Sequence, residues 1–201
     1  MNSDKTVNKI ESLQALRALA FIGIFLCHAG TKLQWAELSV SIFYVMSGVL
    51  LEFHHKDDEI DYSFRGRISF SLNRIKKLYL LHIITMIIVV LIYHLMDKVP
   101  FSDMYGNILL NVFLVQTWVP NSATNVSLNG VAWYLSVTMF LYFIYPIIHH
   151  LVNTTKTKKL YVISFLIIFF QWISCVIMLF FFEHNSVVYV WFMYCFPIFR
   201  I

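Results

Sequence analysis

The sequence predicts an all-α, polytopic integral membrane protein. Hydrophobic residues make up 59% of the 201-residue chain and charged residues only 13%. Soluble domains are roughly half apolar and about a quarter charged, and a soluble fold of this length could not bury so much apolar surface. In addition, the apolar residues fall into runs close to the ~20 residues that cross a bilayer. We therefore expect a single transmembrane domain over residues 1–201, a helical bundle with about six transmembrane helices.

Six apolar runs are predicted to span the membrane: 13–30, 36–53, 78–96, 131–148, 160–182 and 187–199. In the second run, Ser47 and Gly48 are expected to allow close helix packing, as small residues do in membranes. A further apolar run, 108–119, is only about twelve residues long, and so short a run seldom spans a bilayer. We interpret residues 105–120 as an interfacial or re-entrant segment.

The distribution of basic residues favours a cytoplasmic N-terminus. If residues 105–120 do not cross, thirteen of the fifteen lysines and arginines lie inside, and only Lys32 and Lys98 lie outside. If they cross, the distribution is nine against six. Because cytoplasmic loops carry the excess of basic residues, we expect a multi-pass protein of the cell membrane with residues 54–77 in the cytosol. The net charge of +4 therefore reflects clusters beside membrane lipids, and no nucleic acid partner is expected.

The first apolar run holds two ionisable residues, Arg17 and His28, eleven positions apart. At about 100° per residue, eleven steps come within about 20° of three full turns. Both side chains then lie on one helix face, about 16 Å apart along the axis. Since ionisable groups are costly in lipid, a face carrying two of them is expected to line a protein or water-filled cavity. Taken singly, Arg17 could equally snorkel to the headgroups, and His28 could be a core imidazole.

A second basic cluster precedes the third run, in NRIKKLYLLHI at residues 73–83. In the expected topology, Arg74 and Lys77 face the cytosol. The simpler interpretation is an anchor on anionic lipid. The functional interpretation is a docking site for a phosphate-rich ligand, for which arginine and lysine side chains are suited.

The other histidines do not have the spacing of a metal site. His54 with His55, and His149 with His150, are adjacent pairs, and neighbours on a helix point about 100° apart. A motif such as His-Glu-x-x-His is absent. We expect no metal and interpret these four residues as interfacial, while His82 is a second, more distant candidate for a site.

Four stretches together resemble the acyltransferase-3 family of membrane acyltransferases, the group that O-acetylates bacterial surface polysaccharides. The first span resembles the family's opening helix, in which ten residues separate an arginine from a histidine. The second span, with SIFYVMSGVLLEF, resembles the family's second span. The stretch NRIKKLYLLHI is similar to a basic motif entering the third span, and VAWYLSVTMFLYFIYPII to a Trp-x-Leu-Ser-Val-Glu stretch.

The chain departs from the family pattern at three positions. Lys77 stands where the family has a second arginine, which keeps the charge and loses the bidentate fork. Leu80 replaces a proline, and Thr138 replaces a glutamate. The resemblance therefore implies no carboxylate partner for His28. Family members usually have about ten spans, so six spans imply a chain truncated at its C-terminus.

The resemblance implies transfer of an acyl group, usually acetyl, from cytosolic acyl-CoA to a hydroxyl of an extracytoplasmic cell-surface glycan. Such an O-acetyltransferase-like enzyme uses acetyl-CoA as donor substrate and no metal. Arg74 and Lys77 would bind the donor phosphates, and Arg17 would bind phosphate or orient the bundle. His28 would act as general base, a role suited to an imidazole. An acyl-histidine intermediate stays open.

Two other functions stay open. A polytopic transporter or flippase of a surface glycan or lipid-linked precursor would also use an intramembrane arginine and histidine. Such folds often show repeated halves, and residues 1–100 show no similarity to residues 101–201. The other alternative is an inactive fragment that assembles with partners. The sequence does not identify the acceptor or the acyl chain.

Overall fold

The computed structural model describes residues 3–30, 36–183 and 186–200, which contain helices and no β-strand. The chain divides into two compact units, Met1–Asp58 and Glu59–Ile201. The all-α membrane fold is confirmed. Among the described residues, four helices are long and apolar enough to cross a membrane, and one shorter apolar helix, Ser12–His28, precedes them.

The first unit consists of α1, Ser3–His28, packed against α2, Ala36–His55. Small residues make the close approach, because Gly23 of α1 is buried and a Cβ there would overlap the Ser39 hydroxyl of α2. Gly48, which was expected to provide such packing, is exposed in this unit, and a Cβ on it would meet no described atom within 4 Å. Gly48 comes nine residues after Ser39, which places it on about the opposite face of α2.

The second unit is built on α3, Phe64–Leu95, which packs along α6, Ala132–Thr154. With 32 residues, α3 is about 48 Å long, whereas the hydrocarbon core of a bilayer is about 30 Å thick. The helix therefore begins well before the predicted span at 78–96. The basic residues that precede this span lie on the same helix as the span itself.

Residues Asp61 to Gly66 determine where α3 begins. The Ser63 hydroxyl caps the helix by accepting a hydrogen bond from the Gly66 amide at 3.2 Å. The Asp61 carboxylate accepts from the Ser63 amide at 2.8 Å and from the Ser63 hydroxyl at 2.9 Å. These two bonds, the amide one more strongly, hold the pKa of the Asp61 carboxyl below its ordinary value. A Cβ on Gly66 would overlap Asp61, so this compact turn requires glycine.

Short helices connect α3 to α6: α4, Phe101–Val112, a 3₁₀ turn, Gln116–Trp118, and α5, Ser122–Asn125. The 12 residues of α4 extend about 18 Å, which is less than the ~30 Å thickness of the hydrocarbon core of a bilayer. The interfacial or re-entrant placement of residues 105–120 stays a prediction. The chain reverses after α4 at Leu114, whose φ of 54° is one that usually requires glycine. Its side chain packs with Ile75 and Leu135, and this burial offsets a strain of about 1–2 kcal/mol.

The chain ends with α7, Thr157–Phe181, and three shorter pieces. The predicted sixth span, residues 187–199, is not one continuous helix. It consists of α8, Val187–Val190, a π-helical turn, Trp191–Cys195, and a 3₁₀ turn, Pro197–Arg200. Pro197 has no amide hydrogen and disfavours helical backbone in the residue before it, and Phe196 is extended.

Candidate active site

The first candidate pair, Arg17 and His28, lies on α1, which is continuous through both residues. The pair therefore shares a helix face, as the spacing predicts. That face lies beside the stripe of Ala20 and Gly23 that is buried in the first unit. Within this unit both side chains are exposed, and neither bonds to a residue that the structure describes. The cavity expected around the pair stays a prediction.

The second candidate pair, Arg74 and Lys77, lies on α3 in the second unit. The buried stripe of α3 includes Ile75 and His82, whereas Arg74 and Lys77 are both exposed. Residues three positions apart are neighbours on a helix surface. The Arg74 guanidinium lies 5.3 Å from the centroid of the Phe70 ring. The structure thus presents two adjacent cations on one exposed surface, a suitable arrangement for phosphate groups.

A buried polar network that sequence reasoning did not find joins the short helices to α6. The Ser136 hydroxyl donates to the Leu114 carbonyl at 2.6 Å and lies 2.6 Å from the Thr117 hydroxyl. The Thr117 carbonyl accepts a 2.8 Å hydrogen bond from the Trp191 indole N–H. Hydroxyl side chains inside apolar runs often hydrogen-bond across membrane helices. Thr117 and Ser136 both fit that pattern, and their positions in the sequence could have indicated the network.

His82 lies in the same region and packs against the end of α4. It is 4% exposed, and its Nε2 lies 3.1 Å from the Asn111 carbonyl, to which it donates in the matching tautomer. One turn earlier, the Tyr79 hydroxyl donates to the Val112 carbonyl at 2.9 Å. Two side chains of α3 thus hold the C-terminal end of α4. These contacts favour a structural role for His82 over a catalytic one.

Four buried side chains in this region carry polar atoms without a hydrogen-bond partner among the described residues. These atoms are His82 Nδ1, Asn111 Oδ1, Gln116 Oε1 and both polar atoms of the Asn125 amide. The three amide side chains are 0% exposed. Buried polar atoms are nearly always paired, and an unpaired one costs about 1–3 kcal/mol. Asn125 is the extreme case, since none of its side-chain hydrogen-bonding capacity is used within the described residues.

His149, one of the histidines interpreted as interfacial, is buried inside the second unit, and its depth relative to the membrane stays a prediction. His149 is 4% exposed, and its Nε2 lies 3.0 Å from the Asn153 side-chain nitrogen. The next residue, His150, stacks on Tyr62 with ring centroids 4.2 Å apart. The C-terminal half of α6 therefore contacts the residues just before α3 through His150, whereas His149 packs inside the second unit.

A chain of long apolar helices with buried polar side chains defines a helical membrane protein. Residues 10–200 match the family described as acyltransferase domain, and the chain therefore belongs to the acyltransferase-3 family. It is also similar to the acyltransferase MdmB of Streptomyces mycarofaciens, with 26% identity over 172 residues, which cover 77% of this chain and 43% of that protein. The matched region thus spans less than half of that relative. No solved structure matches the chain.

Proposed function

We propose that this chain is part of a membrane acyltransferase that transfers an acetyl group from cytosolic acetyl-CoA to a hydroxyl of an extracytoplasmic glycan. The observation that carries the proposal is the family match over residues 10–200. Two further features support it: the Arg17–His28 pair on one continuous helix, and the exposed Arg74–Lys77 pair on another. Because the basic residues favour a cytoplasmic N-terminus, the proposal assigns the second pair to the cytosolic donor.

In the proposed reaction, His28 takes the proton from the acceptor hydroxyl, and the hydroxyl oxygen attacks the carbonyl carbon of the thioester. A carbon–oxygen ester bond forms and the carbon–sulfur bond breaks. The CoA thiolate leaves and is protonated to the thiol, so the proton removed from the acceptor is balanced. A positioned general base contributes about 10²–10⁴-fold to the rate of such a step.

Arg74 and Lys77 hold the donor through its phosphates in this proposal. Arginine offers a planar fork of donors to a phosphate, whereas lysine contributes a compact point charge. Both are exposed on α3, so a polar donor reaches them without entering the apolar core of the second unit. Arg17 is assigned to phosphate as well, because it is an exposed cation on the helix face that carries His28.

The proposal is tested with membranes that contain the intact protein, incubated with acetyl-CoA labelled in the acetyl group and a surface-glycan acceptor. We expect protein-dependent incorporation of the label into alkali-labile esters of the glycan. Donor labelled in the CoA part is the matched control and should leave no label on the glycan. Movement of the glycan across the membrane without acetylation would contradict the proposal and favour a transporter.

A further inference from the structure

Another basic residue, Arg67, lies on the same face of α3 as Arg74. The two residues are seven positions apart, which amounts to about two turns less 20°. Their Cα atoms are therefore separated by about 10 Å along the helix axis. Arg67 lies before the stretch NRIKKLYLLHI, residues 73–83, which contains Arg74 and Lys77. The sequence pattern therefore does not identify it as a candidate.

The Arg67 guanidinium is held in place by aromatic rings. Its central carbon lies 3.9 Å from the centroid of the Phe143 ring on α6 and 5.9 Å from that of Phe64. Stacking of a guanidinium on an aromatic face uses the plane of the group and leaves its N–H edge available for hydrogen bonds. The side chain is therefore fixed in orientation while its donors stay unused.

No carboxylate of a described residue lies within ion-pair distance of this guanidinium. Arg67 forms no ion pair or side-chain hydrogen bond with a described residue, and its Nε is buried without a partner. The first turn of α3 contains no acidic residue. Because a buried donor without a partner is costly, a half-buried, oriented guanidinium of this kind indicates a site for an anionic group.

We propose that Arg67 is a further phosphate-binding residue, in addition to Arg74, Lys77 and Arg17, and that it binds the 3′-phosphate of the CoA donor. This inference rests on the proposed function. CoA carries a diphosphate and a separate 3′-phosphate, and Arg74 and Lys77 are the two cations of α3 that the proposed function already assigns to phosphate. Along α3, Lys77 lies about 15 Å beyond Arg67, towards the membrane-spanning part of the helix. Since the thioester end must reach the acceptor, the nucleotide end with its 3′-phosphate is left for Arg67.

The test measures equilibrium binding of CoA and of 3′-dephospho-CoA to the purified intact protein in detergent. For Arg67→Gln we expect about tenfold weaker binding of CoA, the size of a lost charge-assisted hydrogen bond. The wild-type protein should bind 3′-dephospho-CoA more weakly than CoA by a similar factor, and Arg67→Gln should bind both ligands with equal affinity. Arg65→Gln is the matched control, because Arg65 is an exposed cation of the same helical turn, and it should bind CoA as the wild type does.

Two further variants separate binding from folding. Phe143→Leu keeps the charge and removes the stacking, so we expect weaker CoA binding with the same loss of preference for the 3′-phosphate. Arg67→Lys keeps the charge without the fork and should bind CoA with an intermediate affinity. If both variants distinguish CoA from 3′-dephospho-CoA as strongly as the wild type does, the inference is wrong, even where Arg67→Gln does not fold.

The outcomes also distinguish this inference from the proposed function. If the wild type binds no CoA, or if Arg74→Gln with Lys77→Gln leaves CoA binding unchanged, the donor site itself is wrong. If that double variant no longer binds CoA while Arg67→Gln binds CoA as the wild type does, only the assignment of Arg67 is overturned. A lipid phosphate is the other source of the same chemistry. Unchanged CoA binding by Arg67→Gln together with weaker binding to phosphatidylglycerol vesicles would assign Arg67 to lipid.

Discussion

The Ser136 hydroxyl of α6 donates a 2.6 Å hydrogen bond to the backbone carbonyl of Leu114. Leu114 is the residue with positive φ at which the chain reverses after α4. The bond therefore attaches this strained reversal to a long helix. Ser136 also belongs to the stretch that resembles the Trp-x-Leu-Ser-Val-Glu motif of the family, and its contacts assign that serine a structural task.

We expect Ser136→Ala to lower the free energy of unfolding by about 1 kcal/mol, because it leaves the Leu114 carbonyl and the Thr117 hydroxyl short of a partner. The thermal unfolding midpoint of the protein in detergent measures the effect. Ser174→Ala is the control, since the Ser174 hydroxyl donates to the Phe170 carbonyl of its own helix, α7. Equal midpoints for the two variants would contradict the structural role of Ser136.

Asn111 and Asn125 are both fully buried amides, yet they are expected to respond differently to replacement by leucine. Asn111 donates to the Asn107 carbonyl at 2.9 Å and to the Ser127 hydroxyl at 3.2 Å. Asn111→Leu should therefore lower the free energy of unfolding by about 1–3 kcal/mol. Asn125 has no side-chain partner among the described residues. Asn125→Leu should therefore leave the unfolding midpoint unchanged or raise it. A loss as large as that of Asn111→Leu would contradict this prediction.

The proposed topology is tested by cysteine labelling at two lysines, in a variant whose native cysteines are replaced by serine. Lys156→Cys should react with a membrane-impermeant maleimide only after the cells are permeabilised. Lys98→Cys should react in intact cells, because it lies in one of the few basic positions assigned to the outside. Labelling of Lys156→Cys in intact cells would mean that residues 105–120 cross the membrane.

Sequence reasoning was most effective where a property depends on one helix alone. The common face of Arg17 and His28 follows from helical geometry once the run is helical, and α1 is continuous over both. The membrane class likewise follows from composition and run length. The early start of α3 at Phe64 was missed, because polar residues obscured the continuation of the helix and the Asp61–Ser63–Gly66 turn sets its beginning.

The contacts between segments could not be predicted from the sequence. The pairing of Ser136 with Thr117 depends on the reversal at Leu114, where a leucine occupies a backbone conformation usually given to glycine. The stacking of Arg67 on Phe143 depends on the alignment of α3 with α6. The sixth predicted span, residues 187–199, was inferred from its apolar composition, although Pro197 within it disfavours a continuous helix. Composition describes the environment of a segment, whereas its hydrogen bonding decides whether the helix continues.

The most direct test of the central claim is the rate of acetyl transfer by His28→Ala in membranes that contain the intact protein. If His28 is the general base, the rate should fall about 10²–10⁴-fold, with a normal amount of protein in the membrane. His54→Ala is the control, because His54 is an exposed histidine whose Nδ1 lies 2.7 Å from the Leu50 carbonyl of its own helix, α2, and it should keep the wild-type rate. Acetyl transfer by His28→Ala near the wild-type rate would contradict the account.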